Sequence, residues 1–246
     1  MDVYSPNWAS NIPLSPSTPV AQLFRFARQV TSKLAKSYGE RDAIFKLRYR
    51  SYLRGGLISP NAFGRYIETC DHAPNAYLIG QHLNRQLAGS LRLQTGSRQN
   101  QNYSSFELFP QVLERLLQGS SHTIVDLSCV AADGGLSRAY RCLPYLTLRS
   151  WILAAEYFQA EYIVAVIKAE HMPFYKRALS CEVHRDLRRH PHHPVSVGLV
   201  TLNFATSAKR LYDDLPFLRS TPSERRQLFE HGRRPLRETE RHPPVS

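Results

Sequence analysis

The segment HTIVDLSCVAA at 122–132 decides the fold, because its length and its β-branched content are typical of a strand buried inside a sheet. The residues at 133–135, Asp-Gly-Gly, end this strand and open the next helix. That helix, predicted over 145–159, is apolar on most of its circumference and needs cover on several sides. A further strand at 162–167 follows directly, and a strand–helix–strand crossover of this kind builds a parallel pair.

An antiparallel hairpin is predicted before this unit. The runs at 76–83 and 86–94 are strand-like, and a short polar turn at 84–85 separates them. Three leucines of the second run can share one face, with Arg92 on the other: Leu87, Leu91 and Leu93. The sheet is therefore expected to be mixed.

Helices and one more strand complete the expected secondary structure. An amphipathic helix is predicted over 20–37 and a second over 41–53. Shorter helices are expected near 110–117 and 172–179, and a last strand at 195–204.

The 246-residue chain is long enough for one domain with a sizeable core. Four prolines and many small polar residues predict a disordered leader at 1–19. The main domain is predicted at 20–206. A basic tail, partly helical or disordered, is predicted at 207–246.

The charge of the chain limits the choice of partners. Lysines and arginines number 32 against 20 aspartates and glutamates, a formal net charge of +12, which calls for nucleic acid, anionic lipid or an acidic carrier protein. No helix-turn-helix, zinc-finger or aromatic RNA-binding motif is visible, so we predict no nucleic-acid partner for the main domain. Apolar runs are too short for a membrane span and the start lacks a secretory signal, so we predict a cytoplasmic protein without stable membrane insertion.

Cysteines and histidines do not predict a metal centre. The four cysteines are widely spaced and are expected to be reduced: Cys70, Cys129, Cys142 and Cys181. Three histidines lie in a loop rich in proline and arginine, without carboxylate or cysteine company: His190, His192 and His193. We therefore predict no metal site.

Four blocks in chain order carry a resemblance to a known family. They are IFKLRYRSY at 44–52, ETCDHAPNAYLIG at 68–80, LAGSLRL at 87–93 and VDLSCVAAD at 125–133. Over residues 24–204 the chain resembles the N-acyl amino acid synthases, relatives of the acyl-homoserine lactone synthases. The resemblance implies an acyl-CoA N-acyltransferase (GNAT-like) fold, an α/β domain with a mixed, mostly antiparallel twisted sheet flanked by helices. The main domain at 20–206 is then the acyltransferase domain.

The resemblance also implies which residues form the site. The substrate-binding positions of the family fall on five residues: Arg48, Tyr52, Glu68, Asp71 and Arg92. The acid over the reacting carbonyl is Asp126, and Tyr175 is the candidate that protonates the departing thiolate. The splayed strand end that receives the pantetheine arm, with main-chain donors for the oxyanion, falls on Val130, Ala131 and Ala132. Many family members carry an arginine three residues after the acid, where this chain has Cys129, so any salt bridge within the strand is lost.

The chemistry of amide formation explains why these residue types are needed. A protonated α-amine, with a pKa near 8 or above, is no nucleophile, so a base must accept its proton as it attacks the thioester. Asp126, Asp71 or Glu68 serves only if its pKa is raised or if water relays the proton. A guanidinium can clamp a carboxylate with two hydrogen bonds, which predicts that Arg48 or Arg92 holds the acceptor.

The predicted function is N-acylation of an amino acid or similar small amine by a fatty acyl group, with no metal and no bound cofactor. Acyl carrier protein is the favoured donor of the thioester. Acyl-CoA is less favoured, since AADGGLSRAY at 131–140 lacks the full glycine-rich pattern that grips the pyrophosphate in acetyltransferases. Two alternatives stay open, an autoinducer synthase of the acyl-homoserine lactone type and a catalytically silent, acyl-binding member of the fold.

Overall fold

The computed structural model describes residues 20–118, 123–140 and 142–230. Their strands are β1 (Val30–Leu34), β2 (Ala76–Leu83), β3 (Gln86–Gly96), β4 (Ile124–Ala132), β5 (Tyr162–Lys168), β6 (Glu182–Arg189) and β7 (Ser196–Asn203). Their helices are α1 (Val20–Ala27), α2 (Tyr38–Arg54), α3 (Ser104–Leu108), α4 (Pro110–Leu116), α5 (Gly134–Ala139), α6 (Leu143–Tyr157), α7 (Met172–Leu179), α8 (Phe204–Asp214) and α9 (Pro222–Phe229). Short 3₁₀ segments lie at Thr69–His72, Ala169–His171 and Pro216–Leu218.

The strands form one seven-stranded sheet in the order β1-β2-β3-β4-β5-β7-β6. Neighbouring strands are antiparallel except β4 and β5, which run parallel. Helix α6 makes the crossover between these two, and the indole Nε1 of Trp151 donates to the Val125 carbonyl at 3.0 Å. The predicted mixed, mostly antiparallel sheet with flanking helices is confirmed.

The parallel pair separates part-way along its length. The ladder joins Ile124–Leu127 of β4 to Tyr162–Ala165 of β5 and stops there, although both strands continue. Cys129, just beyond the ladder, has a φ of 50°, and the register of β4 against β3 shifts between the pairs made by Ser90 and Arg92. A bulge of this kind bends a strand away from its neighbour, so β4 and β5 diverge and leave space between them.

Helix α2 carries two of the predicted site residues. It begins with a capping box, in which the Ser37 hydroxyl accepts from the Glu40 amide at 3.2 Å and the Glu40 carboxylate accepts from the Ser37 amide at 2.9 Å. Residues four apart lie on one face of a helix, and α2 buries Arg48 and Tyr52 together. The helix predicted at 41–53 is confirmed and is four residues longer.

The single helix predicted over 20–37 is wrong. Helix α1 ends at Ala27, and 30–34 forms the edge strand β1, whose residues pair with β2 from Val30 opposite Leu83 to Leu34 opposite Ile79. Exposed and partly buried residues alternate along β1, which is the pattern of a strand with one covered face. Pairing with β2 satisfies backbone groups that a continued helix would have satisfied internally.

The predicted hairpin at 76–83 and 86–94 is confirmed, but not the shared face of its leucines. Leu91 and Leu93 pack in the main core, whereas Leu87 packs beside Ile44 and Leu78 in a separate cluster under α2. The register of β2 against β3 shifts between Gln81 and His82. One extra residue in a strand moves every side chain before it to the opposite face.

Residues 207–230 continue the fold rather than leave it. The predicted boundary between domain and tail lies inside α8, and five residues of the following segment are buried in the main core: Leu211, Phe217, Leu218, Leu228 and Phe229. The edge strand β6 was not predicted. The predicted leader at 1–19 and the last part of the tail, 231–246, lie outside the described residues.

None of the helices in the described ranges is long and apolar enough to cross a membrane.

Candidate active site

A cavity of about 400 Å³ opens where β4 and β5 diverge, and we call it the central cavity. Its apolar wall comes from α3, β4, β5, β7 and neighbouring loops: Leu57, Leu108, Leu127, Val130, Val166, Ile167, Val195 and Val197. Its polar wall includes Glu68, Arg92, Cys129, Lys168 and the histidines of the loop between β6 and β7. The cavity therefore offers one surface to an alkyl chain and another to charged groups.

The predicted strand-end residues divide at this cavity. Val130 lines it, whereas Ala131 and Ala132 pair with Ser90 and Gly89 of β3 and lie outside its wall. Val130 is thus the predicted strand-end residue that a ligand in the cavity can touch.

Two arginines and two carboxylates meet beside the cavity, and we call them the arginine–carboxylate cluster: Arg48, Glu68, Asp71 and Arg92. Asp71 Oδ1 accepts from Arg48 Nη1 at 2.8 Å and from Arg92 Nη1 at 3.1 Å, and Glu68 Oε2 accepts from Arg92 Nη2 at 2.7 Å. Three of the four side chains are almost completely buried, and Glu68 keeps 21% exposure at the cavity wall. Helix α2, strand β3 and the segment that carries Glu68 and Asp71 thus converge on one charge-balanced cluster.

The guanidinium of Arg92 is committed to the protein. Its Nη2 also donates to the Ser104 hydroxyl at 2.7 Å, and its Nε donates to the Ser128 hydroxyl at 3.0 Å. Arg48 is fully buried, does not line the cavity, and within the described ranges its Nε and Nη2 have no hydrogen-bond partner. Of the two predicted acceptor clamps, Arg92 therefore lines the cavity and Arg48 does not, but protein groups already accept from all three nitrogens of the Arg92 guanidinium.

Glu68 is held as a carboxylate. Burial opposes ionisation, but the charge of Arg92 and hydrogen bonds from Tyr66, Arg92 and Cys129 hold its pKa at about 2. The Cys129 thiol, 3.3 Å from Oε2, supplies the last of these bonds. Burial raises the pKa of this thiol to about 12, against the charges of Arg48 and Arg92. Cys129 is thus a neutral donor and not a thiolate nucleophile at neutral pH.

Asp126 is fully buried and does not line the cavity. Its carboxylate accepts hydrogen bonds from the amide and the hydroxyl of Ser105, at the start of α3. Burial raises its pKa to about 6, against these bonds. Ser104, the preceding residue, lines the cavity and contacts Arg92. Asp126 therefore fixes the segment that carries Ser104.

Both predicted aromatic residues reach the cavity. Tyr175 lies on α7, is buried against Trp151 with 6.3 Å between ring centroids, and lines the wall. Burial raises its pKa above the ordinary value of 10, so its hydroxyl stays protonated. Tyr52 also lines the wall and packs edge-on against Tyr66, with 4.9 Å between the ring centroids.

Residues 43–203, well over half of the chain, match a family described as N-acyl amino acid synthase FeeM. The chain belongs to this N-acyl amino acid synthase family. No match is found among curated proteins. The fold and the activity of the family make this protein an acyltransferase, as the four sequence blocks predict.

Solved structures agree on the fold of this family member. The N-acyl amino acid synthase FeeM from uncultured soil microbes superposes with a TM-score of 0.61 at 17% identity, over 75% of this chain and 97% of that one. The CoA-dependent acyl-homoserine lactone synthase BjaI gives 0.54 at 14%, over 76% and 89%. The acyl-homoserine lactone synthase LasI gives 0.52 at 17%, over 75% and 94%. The synthase fold therefore extends over three quarters of the chain.

Several residues at the site of this synthase family member were not predicted. His190 and His193 line the cavity, with their rings stacked at 4.4 Å, and Lys168 lies at the end of β5. Tyr66 joins His193 to Glu68. In the described part of the chain, no group of histidines, cysteines and carboxylates could hold a metal ion. For the two histidines, the sequence signal was the histidine-rich loop itself. It is informative only once the position of this loop beside Glu68 is known.

Proposed function

We propose that this enzyme transfers a fatty acyl group from an acyl carrier protein thioester to the amine of an amino acid, in the cytoplasm. The observation that carries the proposal is the division of the central cavity into an apolar wall and a charged wall at the point where β4 and β5 diverge. A volume of about 400 Å³ lies within the range of small-molecule sites, about 300–1,000 Å³.

The apolar wall suits the acyl chain. Its residues come from both diverging strands: Leu127 and Val130 from β4, and Val166 and Ile167 from β5. The acyl chain would therefore lie between these strands. Burying methylene groups there contributes about 0.8 kcal/mol each. The thioester carbonyl would then be near Val130 and Cys129, where the strands part.

The charged wall suits an amino acid acceptor. Glu68 is an anion exposed to the cavity and can hold the ammonium group, while Lys168 is a cation in the same wall that can meet the carboxylate. Attack of the amine on the thioester carbonyl forms the new C–N bond, and the C–S bond then breaks. The buried, protonated Tyr175 can give the departing thiolate its proton, and the second proton that the nitrogen loses restores the Tyr175 hydroxyl.

Two features favour a carrier protein over coenzyme A as the donor. The Asp133 carboxylate caps the start of α5 by accepting from the amides of Gly135 and Leu136, both at 3.0 Å, so a pyrophosphate there would meet a like charge. Exposed basic residues surround the ends of β4 and β5: Arg54, Arg138, Lys176 and Arg177. An acidic carrier would be steered to this edge of the sheet.

The test is direct. Purified protein is incubated with palmitoyl-loaded acyl carrier protein and the twenty amino acids, and new amide masses are sought, with palmitoyl-CoA as the parallel donor. A new N-acyl amino acid made from the carrier-protein donor supports the proposal and identifies the acceptor. An acyl-homoserine lactone, or no product with either donor, would contradict it.

A further inference from the structure

A line of hydrogen bonds leads from the wall of the central cavity into the loop between β6 and β7. The Tyr66 hydroxyl lies 2.6 Å from Oε1 of Glu68 and 3.1 Å from Nε2 of His193. Nδ1 of His193 lies 3.1 Å from the Leu57 carbonyl. Glu68 and His193 both line the cavity, and the Tyr66 hydroxyl bridges them.

The Leu57 carbonyl sets the tautomer of His193. A carbonyl oxygen only accepts hydrogen bonds, so Nδ1 of His193 carries the proton and donates to it. The neutral ring then has its lone pair on Nε2, facing the Tyr66 hydroxyl. Tyr66 has a single proton for two acceptors, Glu68 and His193, which makes it a hydroxyl able to switch between them.

Neither Glu68 nor Asp126 serves as the final acceptor of the proton. Glu68, with a pKa of about 2, releases any proton it receives, and Asp126 does not reach the cavity. Amide formation from an ammonium group nevertheless releases one proton for each turnover, since the departing thiolate takes up only one of the two that the nitrogen loses. A proton that reaches Glu68 therefore has to pass on to another acceptor nearby.

We propose, resting on the function proposed above, that Glu68, Tyr66 and His193 form a relay that carries the proton of the acceptor ammonium out of the cavity. An N–H bond of the ammonium breaks and its proton passes to the Glu68 carboxylate. That proton moves from Oε1 to the Tyr66 oxygen as the Tyr66 proton moves to Nε2 of His193. One N–H bond is lost on the substrate and one is gained on the imidazole, with Glu68 and Tyr66 restored.

The surroundings of His193 suit a temporary proton carrier. Burial lowers its pKa, so Nε2 is unprotonated at neutral pH and releases a proton to solvent after accepting one. The charged and titratable groups that act on it are Glu68, which favours the cation, and His190, His192 and Lys168, which oppose it. His193 is half-buried in a loop of exposed residues, so the proton has a short exit to solvent.

Two variants with two matched controls test the relay. Tyr66→Phe removes the bridging hydroxyl and keeps the ring that packs on Tyr52, and His193→Gln removes the base. Tyr49→Phe and His184→Gln make the same chemical changes at a hydroxyl bonded to Asn61 and at an imidazole bonded to Thr201, both outside the cavity wall. kcat/KM is measured from about pH 6 to about pH 10, across the pKa of the amine, with an amino acid and with an alkoxyamine that is unprotonated at neutral pH.

The relay predicts a specific pattern. Both relay variants should lose about 100-fold in kcat/KM for the amino acid at neutral pH. The loss should shrink as pH rises past the amine pKa and should be small for the alkoxyamine, while the controls match the wild type. A loss that is equal at every pH and for both acceptors, or no loss at all, would overturn the relay. A wild-type protein that acylates no amine would instead refute the proposed function itself.

Discussion

The Cys129 thiol donates a hydrogen bond to the Glu68 carboxylate, with 3.3 Å between Sγ and Oε2. The family resemblance implies an arginine at this position, and a third guanidinium beside Arg48 and Arg92 would upset the balance of the cluster. A neutral thiol leaves Glu68 paired with Arg92 alone. The thiol thus leaves the position uncharged and still gives the Glu68 carboxylate a hydrogen bond.

The first prediction concerns this thiol. Because Cys129 is neutral and is a weak donor, Cys129→Ser and Cys129→Ala should each change the rate of acyl transfer by less than about threefold. Initial rates with a fixed donor and acceptor measure this. Loss of all activity in the serine variant, together with an acyl group found on Cys129 of the wild type by mass spectrometry, would show a covalent intermediate and refute the prediction.

The second prediction concerns Asp71, which pairs with two buried guanidinium groups. Asp71→Asn leaves Arg48 and Arg92 without a full counter-charge and should lower the free energy of unfolding by about 3–5 kcal/mol. Asp42→Asn is the control, since Asp42 pairs with the more exposed Lys46 and Arg65 and should cost less than about 1 kcal/mol. Urea denaturation gives both values. Equal losses in the free energy of unfolding would contradict the greater cost expected at the buried pairs.

The third prediction concerns pH. The pKa of Asp126 is raised from an ordinary 3.8 to about 6, so the folded state disfavours its ionised form. The stability from this group is complete below pH 3.8 and is lost as pH rises to about 6, a change of about 3 kcal/mol. Asp126→Asn should remove this dependence. Unfolding free energies of the two proteins at several pH values test it, and parallel curves would show that the pKa is not raised.

The fourth prediction concerns Tyr175. If its hydroxyl protonates the thiolate, Tyr175→Phe should lower kcat about 100-fold with little change in KM. An aryl thioester, whose thiolate needs no proton to leave, should recover most of the rate. Tyr145→Phe, a buried tyrosine outside the cavity wall, is the control. An equal loss with both donors would assign Tyr175 to packing.

The fifth prediction concerns the donor. Arg138→Glu and Arg177→Glu reverse exposed charges at the ends of β4 and β5 and should each lower kcat/KM for the acyl carrier protein about tenfold at low salt. Arg98→Glu changes an exposed arginine that follows the far end of β3 and should have no effect. With a short acyl-pantetheine donor, all three variants should have the same kcat/KM as the wild type. A loss that salt does not reduce would argue against steering.

The strand–helix–strand unit was predictable because burial on both faces leaves a continuous apolar run in the sequence. Edge strands leave a weaker signal, since half of their residues face solvent. The run 182–189, EVHRDLRR, is mostly charged, and 30–34, VTSKL, continues the spacing of a helix. Their pairing partners, β7 and β2, decide their structure, and this information is not local.

The site was predictable only in part, for the same reason. Glu68, Arg92 and Tyr175 reach the cavity as the family spacing implies. His193 and Tyr66 are 127 residues apart in sequence, and no spacing rule connects them. The burial of Arg92 was also not predictable, and it means that Arg92→Ala would remove a structural cation together with any contact to substrate.

The arginine–carboxylate cluster contains two cations and two anions, so its charges sum to zero. This balance affects which acceptor molecules can bind. A zwitterion adds equal and opposite charges and leaves the balance of this cluster unchanged when it binds beside it. A simple amine adds one uncompensated positive charge, and an acidic amino acid adds one negative charge, inside a partly buried space where such excess is costly. The site would therefore bind neutral amino acids more tightly than amines that lack a carboxylate.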